Sequence, residues 1–474
     1  MQGSNTASTT ITSDTPSTIN ASSPASLSKE NITTQYNPTL LDFEVQTQWK
    51  VKGLQGNQRT WTVHLLDASG VFLRSRINRG VAVLHRDAPS QIDTFQIQLY
   101  NWGMLVSEFA IDRKQWMLSQ TQLLPPSQIR PSITTFNTAT LPADGGNPFF
   151  KKSAKGELSS SAQNPAAGLA PSLVPELALK EDASSSAPTM VDELNHKALE
   201  TNLGVSYSQV VGSPSSPFLF AFGVKGDALY KFRENTWITG TVNARLVDNF
   251  GKYNYDPPPT GLQPVRTNIR QYMTQSIGTM PNLQLTNTGK LADNHFVSAY
   301  AGYLEMMFAG VGGEYLWRPT NSKVAVGLDV NRVRQRQFNV WTSMQNYAVT
   351  TGHLTTYWDT GVQDILVKAS YGKYLAGDVG GTLDLSRVFA NGVKVGAYAT
   401  RTNVDYAQFG EGSFDKGVYV SVPFDAFFAR HSDSVANLLF TPLIRDGGAM
   451  LFRKYKLYDM TRTRDDRALS AGPD

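Results

Sequence analysis

Cysteine is absent from all 474 residues. That excludes disulfides, iron–sulfur clusters and thiolate zinc sites, and leaves nothing that an oxidising compartment would disturb. Charge is scarce too: Asp, Glu, Lys and Arg make up 17% of the chain, against the quarter usual in soluble proteins. The net charge of +4 is spread along the sequence, which argues against nucleic acid as the partner. Long hydrophobic runs are missing as well. None approaches the roughly 18–20 residues of a membrane-spanning helix, and the most conspicuous, Phe218–Val224, is strand-sized. The opening residues, Met1-Gln2-Gly3-Ser4-Asn5, carry neither a basic n-region nor an apolar h-region. An outer-membrane protein needs a signal sequence, so on this reading the chain is a fragment.

What the chain does have is alternation. From Trp237 to Val247, Ile238, Gly240, Val242, Ala244 and Leu246 point one way, while Thr239, Thr241, Asn243 and Arg245 point the other. Val324, Val326, Leu328 and Val330 likewise oppose Ala325, Gly327, Asp329 and Asn331. The pattern returns at 392–400 and 417–422. A period of two gives each strand one apolar and one polar face. Many such strands in succession, with few charges, need a closed sheet whose outside meets something apolar. The expectation is an all-β chain whose residues 197–474 form an antiparallel transmembrane β-barrel of about 12–14 strands. Strands are expected up to a final one at 448–458, and another near Asn282–Thr286.

Ahead of the barrel, residues 1–37 are rich in Ser, Thr and Asn, too polar to offset ordering entropy, and are expected to be disordered. Residues 38–130 look like a small periplasmic β-sandwich-like domain. Phe43-Glu44-Val45, Thr60–Leu66, Val81–Leu84, Thr94–Tyr100 and Leu105–Ile111 are its expected strands. Residues 131–196 are a Ser/Pro/Ala-rich linker, with a short helix expected at Val191–Leu199.

Several segments carry a resemblance. They are Ala301–Gly313, Thr351-Gly352-His353, Tyr374–Asp378, Phe409–Gly417 and Pro442–Gly448. In order and wording these resemble the YjbH family of exopolysaccharide biosynthesis proteins, to which capsule proteins of the GfcD type also belong. Residues 41–124 resemble the soluble domain preceding the C-terminal barrel in that family. The resemblance implies an outer-membrane protein taking part in secretion of an extracellular or capsular polysaccharide. Family members are generally longer and often lipoproteins; here there is no cysteine to acylate.

Candidate chemistry is sparse. Arg332, Arg334 and Arg336 share a strand face by period two, and Arg387 and Arg401 are candidates to join them. Such a ladder guides an acidic polysaccharide by forked hydrogen bonds, or forms a lumen network with Asp329, Asp378, Asp384 and Glu411. The three arginines are expected to face inward and not toward lipid, at a mouth where the strand leaves the bilayer rather than beyond a bulge. Glu305, within an apparent strand from Tyr303 to Phe308, either bonds sugar hydroxyls or makes a salt bridge across the lumen. The Phe409–Gly417 loop lacks the following helix of a phosphate site. No histidines have metal-ligand spacing, and a Ser386, His353, Asp384 triad is only one of many drawings a long chain permits. Trp317, Trp341, Tyr347, Tyr357 and Trp358 suit a lipid-interface girdle. No catalytic residue, metal or cofactor is expected. The partners are polysaccharide, outer-membrane lipid and periplasmic export proteins. An outer-membrane enzyme modifying the polymer and a structural scaffold are the alternatives. An open polar lumen marks the exporter, converging carboxylates the enzyme, a plugged barrel the scaffold.

Overall fold

A computed structural model describes residues 36–67, 72–121, 133–136, 189–194, 196–213, 216–424 and 435–464, apart from positions 255, 257, 258, 260, 321, 410–413 and 442–443. The expectations for residues 1–35, for most of the linker and for Glu411 lie outside the described residues.

The first unit is a helix-covered mixed sheet and not a sandwich. Helix α1 (Asn37–Thr47) precedes β1 (Lys50–Gly56) and β2 (Thr60–Leu66). Helix α2 (Leu73–Asp87), β3 (Thr94–Asn101), β4 (Met104–Asp112) and α3 (Arg113–Thr121) follow. Phe43 and Val81 therefore sit in helices where strands were expected. The reason is periodicity over a longer window. Leu73, Ile77, Gly80, Val81 and Leu84 are buried on one face of α2, spaced by three and four, and the local run Val81–Leu84 hides that stripe. Helix α1 buries Leu40, Phe43 and Thr47 in the same way.

The crossover through α2 makes β2 and β3 parallel, whereas β1–β2 and β3–β4 are antiparallel. The sheet also recruits both ends of the expected linker. Strand β5 (Ile133–Phe136) pairs with β4 and β6 (Thr189–Glu193) with β1, giving the order β5-β4-β3-β2-β1-β6. Val191 thus lies in an edge strand and not in a helix. One face of the sheet packs Val63, Leu65, Phe95, Ile97 and Phe109 against the helices. The other is polar: Thr62 Oγ1 donates to Gln96 at 3.0 Å and Gln98 Nε2 to Glu108 at 2.7 Å.

The second unit is a single antiparallel meander of 13 strands, each hydrogen-bonded to the next in sequence. It comprises β7 (Leu199–Ser213), β8 (Ser216–Arg233), β9 (Thr236–Asp248), β10 (Gly278–Ala292), β11 (His295–Tyr303), β12 (Phe308–Trp317) and β13 (Val324–Arg336). Then come β14 (Met344–Asp359), β15 (Ile365–Lys373), β16 (Val379–Val388), β17 (Lys394–Thr402), β18 (Asp415–Pro423) and β19 (Val435–Phe440). Helix α4 (Ile269–Thr274) lies in the long excursion between β9 and β10. Alternation is realised in three dimensions: Val324, Leu328 and Val330 are exposed on the outside, Ala325, Asp329 and Asn331 buried inside. None of the described helices is long and apolar enough to cross a membrane.

Two expectations change. An odd number of antiparallel passes leaves β7 and β19 running in the same direction, and no pairing joins them among the described residues. The ring is therefore not closed there. The expected last strand, 448–458, is not part of the wall at all. It includes Leu451-Phe452-Arg453-Lys454-Tyr455-Lys456-Leu457-Tyr458, with charge on both alternating faces. A lipid-facing strand cannot carry that pattern. The segment instead runs inside the curl of the sheet.

Candidate functional site

The interior is lined by the polar faces of the strands, including Gln284, Thr286, Glu314, Asp329, Asn331 and Thr400, all buried. Residues 446–464 fill it. They enter at the mouth that carries the β9–β10 excursion (the far mouth). They leave at the opposite mouth, where the small domain sits.

At the far mouth, Asp446 accepts hydrogen bonds from three consecutive backbone N–H groups, Val265 at 2.8 Å, Arg266 at 2.8 Å and Thr267 at 3.0 Å, and from Thr267 Oγ1 at 2.8 Å. A carboxylate holding a row of N–H donors fixes both the segment and the excursion. Gly448, at φ +79°, donates its N–H to Asp378 at 2.8 Å. Arg266 forks onto Glu305 at 2.9 and 3.2 Å, and its second amino group reaches the Met450 carbonyl at 2.7 Å.

Midway, Arg453 meets two wall carboxylates, Glu314 of β12 at 2.7 Å and Asp329 of β13 at 3.2 Å. Glu314 also accepts the Leu457 N–H at 3.1 Å. His353 flanks Asp329 at 3.9 Å, so the histidine's carboxylate neighbour is not Asp384. Asp384 accepts instead from the Tyr419 hydroxyl at 2.8 Å. The drawn triad is thus not assembled by these contacts. Among the described residues no cluster of His, Asp or Glu has the makings of a metal site.

Toward the small domain the contacts turn aromatic. Tyr458 stacks on Tyr357 with centroids 3.8 Å apart and rings 5° from parallel. Tyr455 meets Trp237 edge-on at 5.3 Å, and Trp102 of the small domain stacks on that same Trp237 at 4.1 Å. Arg318 donates to the Tyr458 carbonyl at 2.6 Å. Asn101 donates to the Met460 carbonyl at 2.6 Å, and Arg464 to the Val106 carbonyl at 3.0 Å. The segment therefore ties both mouths together.

A family model described as exopolysaccharide biosynthesis protein YbjH matches residues 3–463. The chain belongs to the YjbH family. An uncharacterized lipoprotein YjbH of Escherichia coli (strain K12) is 46% identical over 263 residues, covering 54% of this chain and 38% of that protein. The chain thus spans well under half the length of this curated relative. Among solved structures, the outer-membrane protein OmpT of Vibrio cholerae matches 48% of the chain and 82% of its own length at 13% identity with a TM-score of 0.24. Its L8 loop-deletion mutant matches 48% and 87% at 14% and 0.25.

The residues singled out in this YjbH-family sequence do not converge. Arg332 and Arg334 stay on the outer face of β13, continuing the line of Val324 to Val330, and Arg332 donates to Thr350 Oγ1 at 3.0 Å. The expectation of an inward arginine face is corrected for both. Arg336 parts from them because the register shifts between Arg334 and Arg336, so a bulge acts as well as the mouth. Fully buried, its guanidinium donates to the carbonyls of Met280, Pro281, Glu305, Val340 and Trp341 at 2.8–3.2 Å. It is a clamp on the loops. Arg387 and Arg401 are exposed on the outer faces of β16 and β17, Arg387 lying over the Phe389 ring at 4.8 Å. Glu305 lies in the turn between β11 and β12 and not within a strand, where Leu304 and Glu305 N–H groups both reach the Phe308 carbonyl. Trp317, Trp341 and Trp358 are exposed, as a girdle requires. Tyr357 is turned inward, and Tyr347 donates to the Leu375 carbonyl at 2.6 Å.

Arg453 and Asp446 escaped the sequence reading, since one fell in an expected wall strand and the other just ahead of it. The signal was present in the mixed faces of Phe452–Tyr458.

Proposed function

We propose that this chain is an outer-membrane component of exopolysaccharide secretion that works as an anchored docking element, with its lumen stoppered by residues 446–464. The observation that carries this reading is the Arg453 contact with Glu314 and Asp329, which uses the lumen's central carboxylates on the chain's own segment. Polar lumen groups that a passing polymer would need are occupied. The small domain stands at the periplasmic mouth, where Met104 and Val106 of its sheet pack against Trp237 and Phe296 of the barrel, and the surface it leaves open is offered to the polysaccharide or to a periplasmic export protein. No bond chemistry is assigned; the role is to hold and to position.

Passage through the lumen after withdrawal of the segment is the second reading, favoured by the number of hydroxyl and amide side chains on the inner wall. One experiment separates the two in the cysteine-free background. Tyr357→Cys with Tyr458→Cys joins the segment to the wall at its stacked pair. Under docking, cells with the oxidised pair secrete polysaccharide as the wild type does. Secretion that stops on oxidation and returns on reduction sinks the docking reading in favour of passage.

A further inference from the structure

We propose that the outer wall near the far mouth binds the phosphate groups of a phosphorylated glycolipid in the surrounding leaflet. The inference rests on the outer-membrane placement proposed above. Its starting point is the set of cations that the lumen did not absorb.

Arg332 on β13, Lys373 on β15 and Arg401 on β17 are all exposed and point outward, and all lie toward the far-mouth ends of their strands. The pairing fixes their relation. Val330 aligns with Gly352, and Gly352 with Lys373. Leu328 aligns with Leu354, then Tyr371, Gly381 and Arg401. The three cations therefore climb one outward position at a time on alternate strands, a staircase with steps of roughly 12 Å given ordinary strand spacing and rise. Of the intervening outward positions, Thr350 and Val379 are short and Gly352 and Gly381 carry no side chain, which leaves room between the cations for a headgroup. Arg334 stands one outward position above Arg332 on the same strand.

On the side of the wall away from that mouth the surface changes character. Val330, Leu328, Leu354, Tyr371 and Leu383 are exposed by 52, 47, 54, 66 and 49%, an apolar band suited to acyl chains. Among the described residues none of the three cations is ion-paired with a carboxylate. Outward charges are tolerated on a barrel only near the interface, where long side chains reach up to headgroups. Cations above an apolar band match an anionic amphiphile, and guanidinium forks favour phosphate oxygens. A neutral polysaccharide supplies no charge to answer them. An acidic polysaccharide supplies charge but nothing for the apolar band.

The test uses the full chain, purified in detergent and offered bis-phosphorylated lipid A or its dephosphorylated form, with retention counted by native mass spectrometry. The wild type is expected to favour the phosphorylated lipid by about tenfold, as charge-assisted contacts to phosphate imply. Arg332→Gln, Lys373→Gln and Arg401→Gln together should erase that preference, while Arg387→Gln, outward at the other end, should keep it. Equal retention of the two lipids by the wild type, or a preference that survives the triple change, overturns the proposal. Should the triple variant lose the heat-dependent gel shift of a folded barrel, Arg332→Gln and Arg401→Gln singly take its place, each lowering the preference; no change in either overturns the proposal. A chain that stays outside phospholipid vesicles overturns the membrane placement itself, whereas one that inserts without lipid preference overturns only this site.

Discussion

Arg453 lies 2.7 Å from Glu314, and the pair is buried at the centre of a sheet whose strands all precede Arg453 in the sequence. Glu314 sits on the inner face of β12, opposite Asp329 in the register of β12 with β13. Two adjacent carboxylates facing one interior would repel each other there. Arg453 answers both.

Replacing Arg453 with Met should therefore destabilise the folded barrel by about 3–5 kcal/mol, the usual cost of leaving buried charge unpaired. The readout is the temperature at which the heat-dependent gel shift is lost. Adding Glu314→Gln should recover part of the loss, because one of the two stranded charges goes with it. A single variant as heat-stable as the wild type would refute the assignment.

At the far mouth, Asp446→Asn should free the excursion that holds α4. The neutral amide oxygen binds the three N–H groups of Val265, Arg266 and Thr267 more weakly than a carboxylate does. Limited proteolysis of the folded protein should then cut between residues 254 and 277 about tenfold faster, equivalent to roughly 1.4 kcal/mol of opening free energy. An unchanged cutting rate would show that other contacts hold the excursion.

In the small domain, His64 on β2 is buried, and desolvation first and the Lys52 charge second lower its pKa to about 4. The unfolded chain keeps the ordinary histidine value and binds the extra proton first as pH falls. Stability is thus whole above about pH 6.5 and declines toward pH 4, by at most about 1.4 kcal/mol per pH unit. Urea midpoints followed by tryptophan fluorescence should show this slope in the wild type and a shallower one in His64→Gln. Parallel slopes in the two proteins would remove His64 as the cause.

Helix α1 crosses α2 at Gly80, where an added Cβ would stand 2.4 Å from the Phe43 ring. Gly80→Val is expected to cost roughly 1–3 kcal/mol by overpacking. Pairing it with Phe43→Leu should return some of that, by urea denaturation of the full chain. If the double variant is weaker by the sum of the two single losses, the helices do not meet there as described.

The barrel strands were legible because period-two alternation is a local signal with a face on each side. It located β9, β13 and β17 well, and Asn282–Thr286 falls inside β10. The break at Leu304–Met307 was not legible, since an apolar run looks like a strand until its partner is known. Here the partner is Arg266, 39 residues upstream. The helices of the small domain were missed for the opposite reason: stripes such as Leu73, Ile77, Val81 and Leu84 show only over about three turns. The separation of Arg336 from Arg332 and Arg334 was not legible, because the register shift that causes it leaves no mark in the sequence itself. The function of outward cations was beyond reach while the arginine face was taken as inward.

The thirteen strands end with the chain on the far side, and the fourteenth crossing is made through the middle. The charge of the wall is thus balanced from outside the wall. A sheet formed without its last crossing would carry Glu314 and Asp329 without their cation. Because Arg464 on the same crossing bonds the Val106 carbonyl, one stretch of chain both neutralises the centre of the sheet and links it to the small domain.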